Sequence, residues 1–479
     1  MPQKTTKISI LMPLYNEADL IAAVMARVVE VDFGAATETE IILVDDGSTD
    51  GSAEAAAELV GRYPGKITLV KHAVNMGKGA AIHTAIEHAT GEFAVVQDSD
   101  LEYNPQDLPR VLQPLLEGRA DAVFGSRFLV AGERRVLYFW HSLANHFLTT
   151  ACNAVADLNL TDMETGYKAF RLSLVKSIPL RSRRFGIEPE LTIKLAQRGL
   201  AIYEVPISYR GRTYAEGKKI GLKDAIQALW CIARYGLGRD IYQDDGARIL
   251  DALAKTPRFN AWMADTVRGF LGSNVLEIGA GIGNLAQCLC PRKASYVATD
   301  IDDEHLARLG IRFQNRPNVR LRRCDLSAPG DFAPFAGEAD TVVCLNVLEH
   351  IEDDAVGLRN INTALAPGGR AIVLVPQDQS IYGTLDKVLG HYRRYTQAEL
   401  RTKMEAAGFE VERVLEFNRV TRPGWYINGR VLKRRHFSRF QLWWFDRLVW
   451  VWRRIDRAIP WPAVSIIAVG RKRIGGLTL

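Results

Sequence analysis

Residues 8–53, ISILMPLYNEADLIAAVMARVVEVDFGAATETEIILVDDGSTDGSA, decide the fold of the first half of the chain. An apolar run at 8–14 leads into an amphipathic stretch at 18–30, and a second apolar run, EIILVDD, ends on two aspartates. The same alternation continues outward. ITLVKH, FAVVQD and ADAVFGS read as strands, and residues 52–63, 78–89 and 106–118 carry helical periodicity. Strands alternating with helices predict a largely parallel sheet covered on both faces. A second alternation opens at residue 274 with NVLEIG, runs through SYVATD, VRLRRCD, ADTVVCLN and RAIVLVP, and closes on PAVSIIAVGRK. The expected architecture is therefore α/β in two domains, 1–240 and 258–479, joined by a linker at 241–257.

Length agrees, because 479 residues exceed what one compact core holds. With 47% hydrophobic and 24% charged residues, the composition excludes a disordered or membrane-spanning chain. The net charge of +6 suits anionic small molecules or a membrane surface, and is too small to argue for a nucleic-acid polymer. The first apolar run is broken at once by Pro13 and Asn16, unlike a signal peptide. No run reaches about 18 apolar residues, so no transmembrane helix is expected. The expected location is cytoplasmic, with peripheral contact at the inner face of the membrane as an option. Six cysteines are scattered, and the spacing of Cys288 and Cys290 fits no common zinc or redox motif; reduced, buried thiols are expected.

In an open α/β sheet, ligands settle beyond the carboxyl ends of the strands. Three polar clusters fall there: Pro13-Leu14-Tyr15-Asn16-Glu17, Asp45-Asp46-Gly47-Ser48 and Asp98-Ser99-Asp100-Leu101-Glu102. Two carboxylates flanking one residue can share a hard divalent cation that would bridge the diphosphate of a nucleotide sugar. Taken singly, Asp45-Asp46-Gly47 also reads as a turn with a helix cap, and the cations in GRTYAEGKK as a solvated loop.

In combination the motifs say more. LMPLYNEAD, IILVDDGSTDGS, NMGKGAAIHTAIEHATGEFAVVQDSDLEY and FGSRF are followed by LTDMETGYKAFR, RRFGIEPELTIKLAQRG and YEVPISYRGRTYAEGKKIG. In this order, over residues 7–238, they resemble the GT-A fold glycosyltransferases of the inverting family that includes dolichol-phosphate mannosyltransferase. The resemblance implies that Pro13, Tyr15 and Glu17 line a nucleotide pocket, with Val44 and Asp46 reading base and ribose. It implies that Asp98, Ser99 and Asp100 meet the diphosphate and that Asp98, Asp100 and Glu102 hold Mg2+ or Mn2+. Arg127 would meet phosphate, and Arg212 and Lys218 would close over it; guanidinium and ammonium donors suit phosphate oxygens. A phosphate acceptor needs no base, whereas a sugar hydroxyl would call on Asp162, Glu188 or Glu190. Those carboxylates could equally hold Arg183 and Arg184 in a structural network. The polyprenyl-phosphate branch is the nearest likeness. The amphipathic segment GLKDAIQALWCIARYGLGR could lie on a bilayer or pack on its own domain.

In the second half, Val275-Leu276-Glu277-Ile278-Gly279-Ala280-Gly281-Ile282-Gly283-Asn284 is a strand running into a glycine turn. Such a turn lets the backbone pass close to a ligand. Asp300 ends the next strand, where a carboxylate can accept from both hydroxyls of a ribose, and Asp325 ends the third, within reach of an adenine amino group. No basic residue follows the glycines, which suits a sulfonium-bearing nucleoside better than a pyrophosphate. With ADTVVCLNVLEHI and LAPGGRAIVLVP, the series resembles the class I S-adenosylmethionine-dependent methyltransferases, with a Rossmann-like fold, over residues 258–479. Glu277, Gly279, Gly281, Asp300 and Asp325 would bind the cofactor, and Asn346 would flank its methionine end. His350 and His391 are candidates for a base if the methyl acceptor is a hydroxyl, and otherwise structural. GHYRRYT, residues 390–396, suits an anionic substrate or a basic surface loop.

Residues 425–461 hold six of the nine tryptophans, interleaved with arginine and lysine. The mixture fits an interfacial helix at a membrane or a lid with a buried aromatic face. The expected function is a bifunctional transferase: sugar from a nucleotide donor to a polyprenyl phosphate or glycan, and methyl transfer in the same glycan or glycolipid assembly. The competing readings are sugar transfer to a hydroxyl with Asp162 or Glu190 as base, or one domain acting as a non-catalytic binding or anchoring module.

Overall fold

A computed structural model describes residues 5–129, 135–136, 138–211, 222–238, 240–242, 249 and 252–473. The chain divides into two compact units, Met1–Gln243 and Asp244–Leu479. Arg212 and Lys218, and part of the expected linker, lie outside the described residues.

The first unit is built on seven strands: β1 (Thr6–Leu14), β2 (Thr37–Asp45), β3 (Ile67–Lys71), β4 (Phe93–Val96), β5 (Ala122–Ser126), β6 (Lys168–Arg171) and β7 (Ile202–Pro206). They lie in the order β3-β2-β1-β4-β6-β5-β7. All pairings are parallel except those of β6, which runs antiparallel to both β4 and β5. Side chains alternate across a strand, so β1 feeds two cores. Ile8, Ile10, Met12 and Leu14 pack with Ile21, Val24 and Met25 of the helix Ala18–Val29 and with the helix Leu108–Leu116. Leu11 faces the other way, with Ile42 and Val44, onto Ala81, Ile82 and Ala85 of the helix Lys78–His88. Burial on both faces gives these strands their near-continuous apolar runs.

The second unit repeats the plan with β8 (Asn274–Ile278), β9 (Ser295–Asp300), β10 (Val319–Arg323), β11 (Ala339–Leu345), β12 (Leu365–Pro376), β13 (Phe409–Phe417) and β14 (Ser465–Lys472). The order is β10-β9-β8-β11-β12-β14-β13, with β14 antiparallel to both neighbours. Two α/β domains are thus observed, each with a mixed sheet.

The aromatic segment 425–461 lies between β13 and β14 and divides its side chains. Phe445 packs on Phe259 with ring centroids 5.4 Å apart, and Asp446 accepts from the Phe259 amide at 3.0 Å. Trp443, Trp444, Trp450 and Trp461 remain exposed. Among the described residues, no helix is long and apolar enough to cross a membrane.

Candidate active sites

Strand directions gather the first site. The carboxyl ends of β1, β2, β4 and β5 meet the amino end of antiparallel β6 at one edge, where a cavity of about 640 Å³ opens. Pro13, Tyr15, Glu17, Asp46, Asp98, Ser99, Asp100, Glu102 and Arg127, all candidates from the sequence motifs, line it. Glu188 and Arg184 line it as well, and so do Lys78, Glu164 and Tyr209, which the sequence reading passed over.

Within this edge the polar groups are already interlocked. The Asp46 carboxylate accepts from His72 Nδ1 at 2.7 Å, the Met76 amide at 2.9 Å and the Gly77 amide at 2.7 Å, so it shapes the loop before the helix Lys78–His88. Lys78 then reaches back to Asp98 at 2.9 Å and to Glu188 at 3.5 Å. Burial alone would depress the Lys78 ammonium, but Asp98 and Glu188 outweigh it and hold the group well above its ordinary range. The Ser99 hydroxyl donates to the Pro13 carbonyl, tying β4 to β1. Gly166 is required by close approach: a Cβ there would stand 2.4 Å from Asp98 Oδ2.

Several residues occupy other places than the sequence motifs suggested. Val44 is fully buried in the apolar core and does not reach the cavity with its side chain. Asp162 is wholly buried; it takes Arg127 Nε at 2.6 Å on one oxygen and Arg127 Nη2 at 2.7 Å on the other. Burial would raise this carboxyl, yet the Arg127 charge holds it low. A carboxylate spent in this way offers no lone pair to an acceptor. Glu190 is likewise buried, bonded to the amides of Arg181 at 2.9 Å and Ser182 at 2.7 Å and to Lys194 at 2.7 Å. It does not line the cavity, so neither carboxylate is placed to act as a base. Glu102 accepts from the Tyr209 hydroxyl at 2.8 Å. That bond ties the aspartate loop to the segment after β7. Glu164 does line the cavity, and burial, reinforced by Glu188, pushes its carboxyl up to about 8.

Apolar side chains also line the cavity: Phe128, Ala144, Leu148, Ala225 and Ala228. On the helices that supply the last four, Phe139, Trp140, Leu143 and Phe147 of Phe139–Ala156 are exposed, as are Ile226 and Trp230 of Leu222–Leu237.

In the second unit, β8 ends in the glycine turn. Gly279 has φ +69° and its Cβ would meet Val347 Cγ2 at 2.3 Å, so only glycine fits. Asp300 Oδ2 accepts from the Gly281 amide at 2.7 Å, which brings loop and acidic strand end together. Glu277 is buried under the turn and accepts from the Tyr296 hydroxyl at 3.0 Å. Asp325 folds onto its own loop through Ser327, whose amide donates at 2.8 Å. Asn346, at φ 56°, is exposed beyond β11 on the same edge. His350 and His391 stand together just beyond it, with ring centroids 4.9 Å apart.

These two sites define tandem α/β transferase domains. Residues 9–178 match Glycosyl transferase family 2, and residues 244–414 match the family described as Methyltransferase domain. The chain carries a family 2 glycosyltransferase domain followed by a methyltransferase domain. It is similar to Glycosyltransferase AglJ of Haloferax volcanii, at 31% identity over 206 residues covering 43% of this chain and 63% of that protein. It is also similar to Dolichol-phosphate mannosyltransferase of Pyrococcus furiosus, at 28% over 222 residues, 45% of this chain and 60% of that one. Polyprenol monophosphomannose synthase of Mycolicibacterium smegmatis is 26% identical over 239 residues, 49% of this chain and 88% of that one. The chain therefore spans less than two thirds of the first two relatives.

Proposed function

We propose that the N-terminal domain has a GT-A fold and transfers a hexose from a nucleotide sugar to a polyprenyl phosphate. We propose further that the C-terminal domain moves a methyl group from S-adenosylmethionine to a hydroxyl in the same glycan or glycolipid pathway. The observation that carries the first part is the mixed lining of the cavity. Carboxylates and cations share it with Phe128, Ala144, Leu148, Ala225 and Ala228, and the helices Phe139–Ala156 and Leu222–Leu237 that supply the last four also carry exposed aromatic side chains. That combination suits a charged donor meeting an acceptor with a phosphate head and a hydrocarbon tail. The likeness to a dolichol-phosphate mannosyltransferase and a polyprenol monophosphomannose synthase supports a mannosyl-phosphate lipid as product.

Asp98 and Asp100 offer the hard oxygen donors that Mg2+ or Mn2+ accepts, and a cation there would offset charge on the departing diphosphate. Lys78 supplies positive charge to the same carboxylate, and Arg127, fixed by Asp162, presents a preset guanidinium face. Arg212 and Lys218 complete the donor site in this reading. A phosphate acceptor is already a nucleophile and makes no demand for a base. Should a sugar hydroxyl be the acceptor, Glu164 and Glu188, which both line the cavity, are the carboxylates available to take the proton. The enzyme would work in the cytoplasm, at the inner membrane face.

For the second domain, the Gly279–Gly283 turn and Asp300 suit the cofactor's amino acid and ribose, with Glu277, Asp325 and Asn346 around them. In-line positioning supplies most of what methyl transfer needs.

The deciding experiment is thermal stabilisation by a panel of nucleotide sugars with and without Mg2+ or Mn2+, followed by transfer to a short polyprenyl phosphate. Metal-dependent stabilisation by one donor is expected, and Asp100→Ala should abolish it and cut transfer by roughly 10²-fold or more. No response to any donor, beside a clear response to S-adenosylmethionine, would overturn the first half of the reading.

A further inference from the structure

Just past β11, Glu349 is wholly buried, and neither of its carboxylate oxygens has a hydrogen-bond partner. A buried carboxylate left in this condition is costly unless it is neutralised. Arg394 is ion-paired with Asp386 at 2.8 Å. What faces Glu349 instead is imidazole. One ligand-capable atom from each of Glu349, His350 and His391 lies within 4.8 Å of the others, the only such group among the described residues. His391 Nε2 stands 3.9 Å from Glu349 Oε1.

The tautomer of His391 is determined by its other nitrogen. Asp386 already accepts from Arg394 Nε at 2.8 Å and from the Gly383 amide at 2.9 Å, so it is an acceptor for His391 Nδ1 at 3.0 Å as well. With the proton on Nδ1, Nε2 presents a lone pair toward Glu349. A carboxylate behind a histidine is the arrangement that orients and strengthens an imidazole ligand. His350 stands at the exposed side of the group. Ligands about 2.1 Å from a tetrahedral ion sit roughly 3.4 Å apart, so the 3.9 Å pair and the rest of the group, within 4.8 Å, close onto an ion by side-chain movement of about 1.5 Å or less.

We propose that Glu349, His350 and His391 bind a divalent cation in the methyltransferase domain. Two imidazoles and one carboxylate favour a borderline ion such as Zn2+ over Ca2+, and Mn2+ serves as a harder probe of the same site. Three protein donors with one exposed member leave coordination positions open, as in sites that bind a reactant. Asn346 lies three residues upstream on the same strand end, so an oxygen-bearing acceptor, a hydroxyl or a vicinal pair, would be bound beside the methyl donor. That last step rests on the methyltransferase reading; the cation site does not, and neither depends on sugar transfer.

The test uses the full chain with Asp98→Ala and Asp100→Ala, which removes the carboxylates of the N-terminal cavity as competing ligands. After chelation and dialysis it is titrated with Mn2+ and with Zn2+, and the Mn2+ form is examined by pulsed electron paramagnetic resonance. Stoichiometric binding with nitrogen coupling from imidazole is expected, and His391→Ala or Glu349→Gln in that background should weaken it by roughly tenfold or more. Failure of the doubly substituted chain to bind either ion overturns the proposal, as does a bound Mn2+ with no nitrogen coupling. Should the Glu349 or His391 variants misfold, the nitrogen signature alone decides. S-adenosylmethionine binding, measured on the same samples, reports on the methyltransferase reading separately.

Discussion

Burial lifts the Glu277 carboxyl to about 7 against the hydrogen bond from Tyr296, which pulls it the other way. Its ordinary value is 4.5, so the folded domain holds this proton more tightly than the unfolded chain does. The stabilisation is complete below pH 4.5 and is lost as pH rises through 7. Over that window the loss amounts to about 3 kcal/mol. Melting of the second unit at pH 5.5 and 7.5, without cofactor, should show the decline, and Glu277→Gln should flatten it. A slope unchanged in the variant would assign the pH dependence to other groups. Lys78 illustrates the opposite balance at the same scale, since two carboxylates outweigh its burial and keep it charged.

Among elements, the helix and strand pattern of β1 to β5 was legible because each run is long, apolar and bounded by turn residues. Three strands were not. KAFR of β6 is four residues long, YEVP of β7 carries a glutamate, and FEVERVLEF of β13 is an edge strand broken by charges. Missing β6 hid part of the site. Its antiparallel course brings Glu164 and Gly166 to the ligand edge, and no local pattern announces that. The aspartate loops were legible, because strand ends in such sheets carry function. Asp162 and Glu190 could not be judged from sequence, since their burial and partners come from residues far along the chain. At the opposite edge of the sheet, Glu40 of β2 accepts from Ser9 at 2.6 Å and from the Thr90 amide at 2.6 Å, and pairs with Lys7 at 2.8 Å. Burial would raise this carboxyl, but those bonds outweigh it and hold it at about 2. Its contribution is present above pH 4.5 and fades as pH falls toward 2. Glu40→Gln should cost about 2 kcal/mol at pH 7 by urea unfolding. The difference from the wild type should narrow on acidification, and a constant difference down to pH 2.5 would refute the assignment.

At the scale of the molecule, each unit exposes its own aromatic set: Trp140 and Trp230 in the first, Trp443, Trp444 and Trp450 in the second. If the first set meets lipid, Trp140→Ser with Trp230→Ser should lower the partition coefficient onto anionic vesicles by at least about tenfold, since loss of even part of each ring's buried area exceeds about 1.4 kcal/mol in total. Donor-induced thermal stabilisation in solution should survive, because neither ring lines the cavity. Vesicle binding lost only with the second set would move the membrane contact to the other domain. The order of the chain adds a further consequence. Glu102 meets its partner Tyr209 across 107 residues, and the stretch matched to the glycosyltransferase family stops at 178. During synthesis, therefore, the aspartate loop leaves the ribosome long before the hydroxyl that braces it. A nascent chain halted near residue 180 would have strands β1 to β6 but no competent donor pocket, and sugar-nucleotide affinity should arise late, with the emergence of the β7 segment.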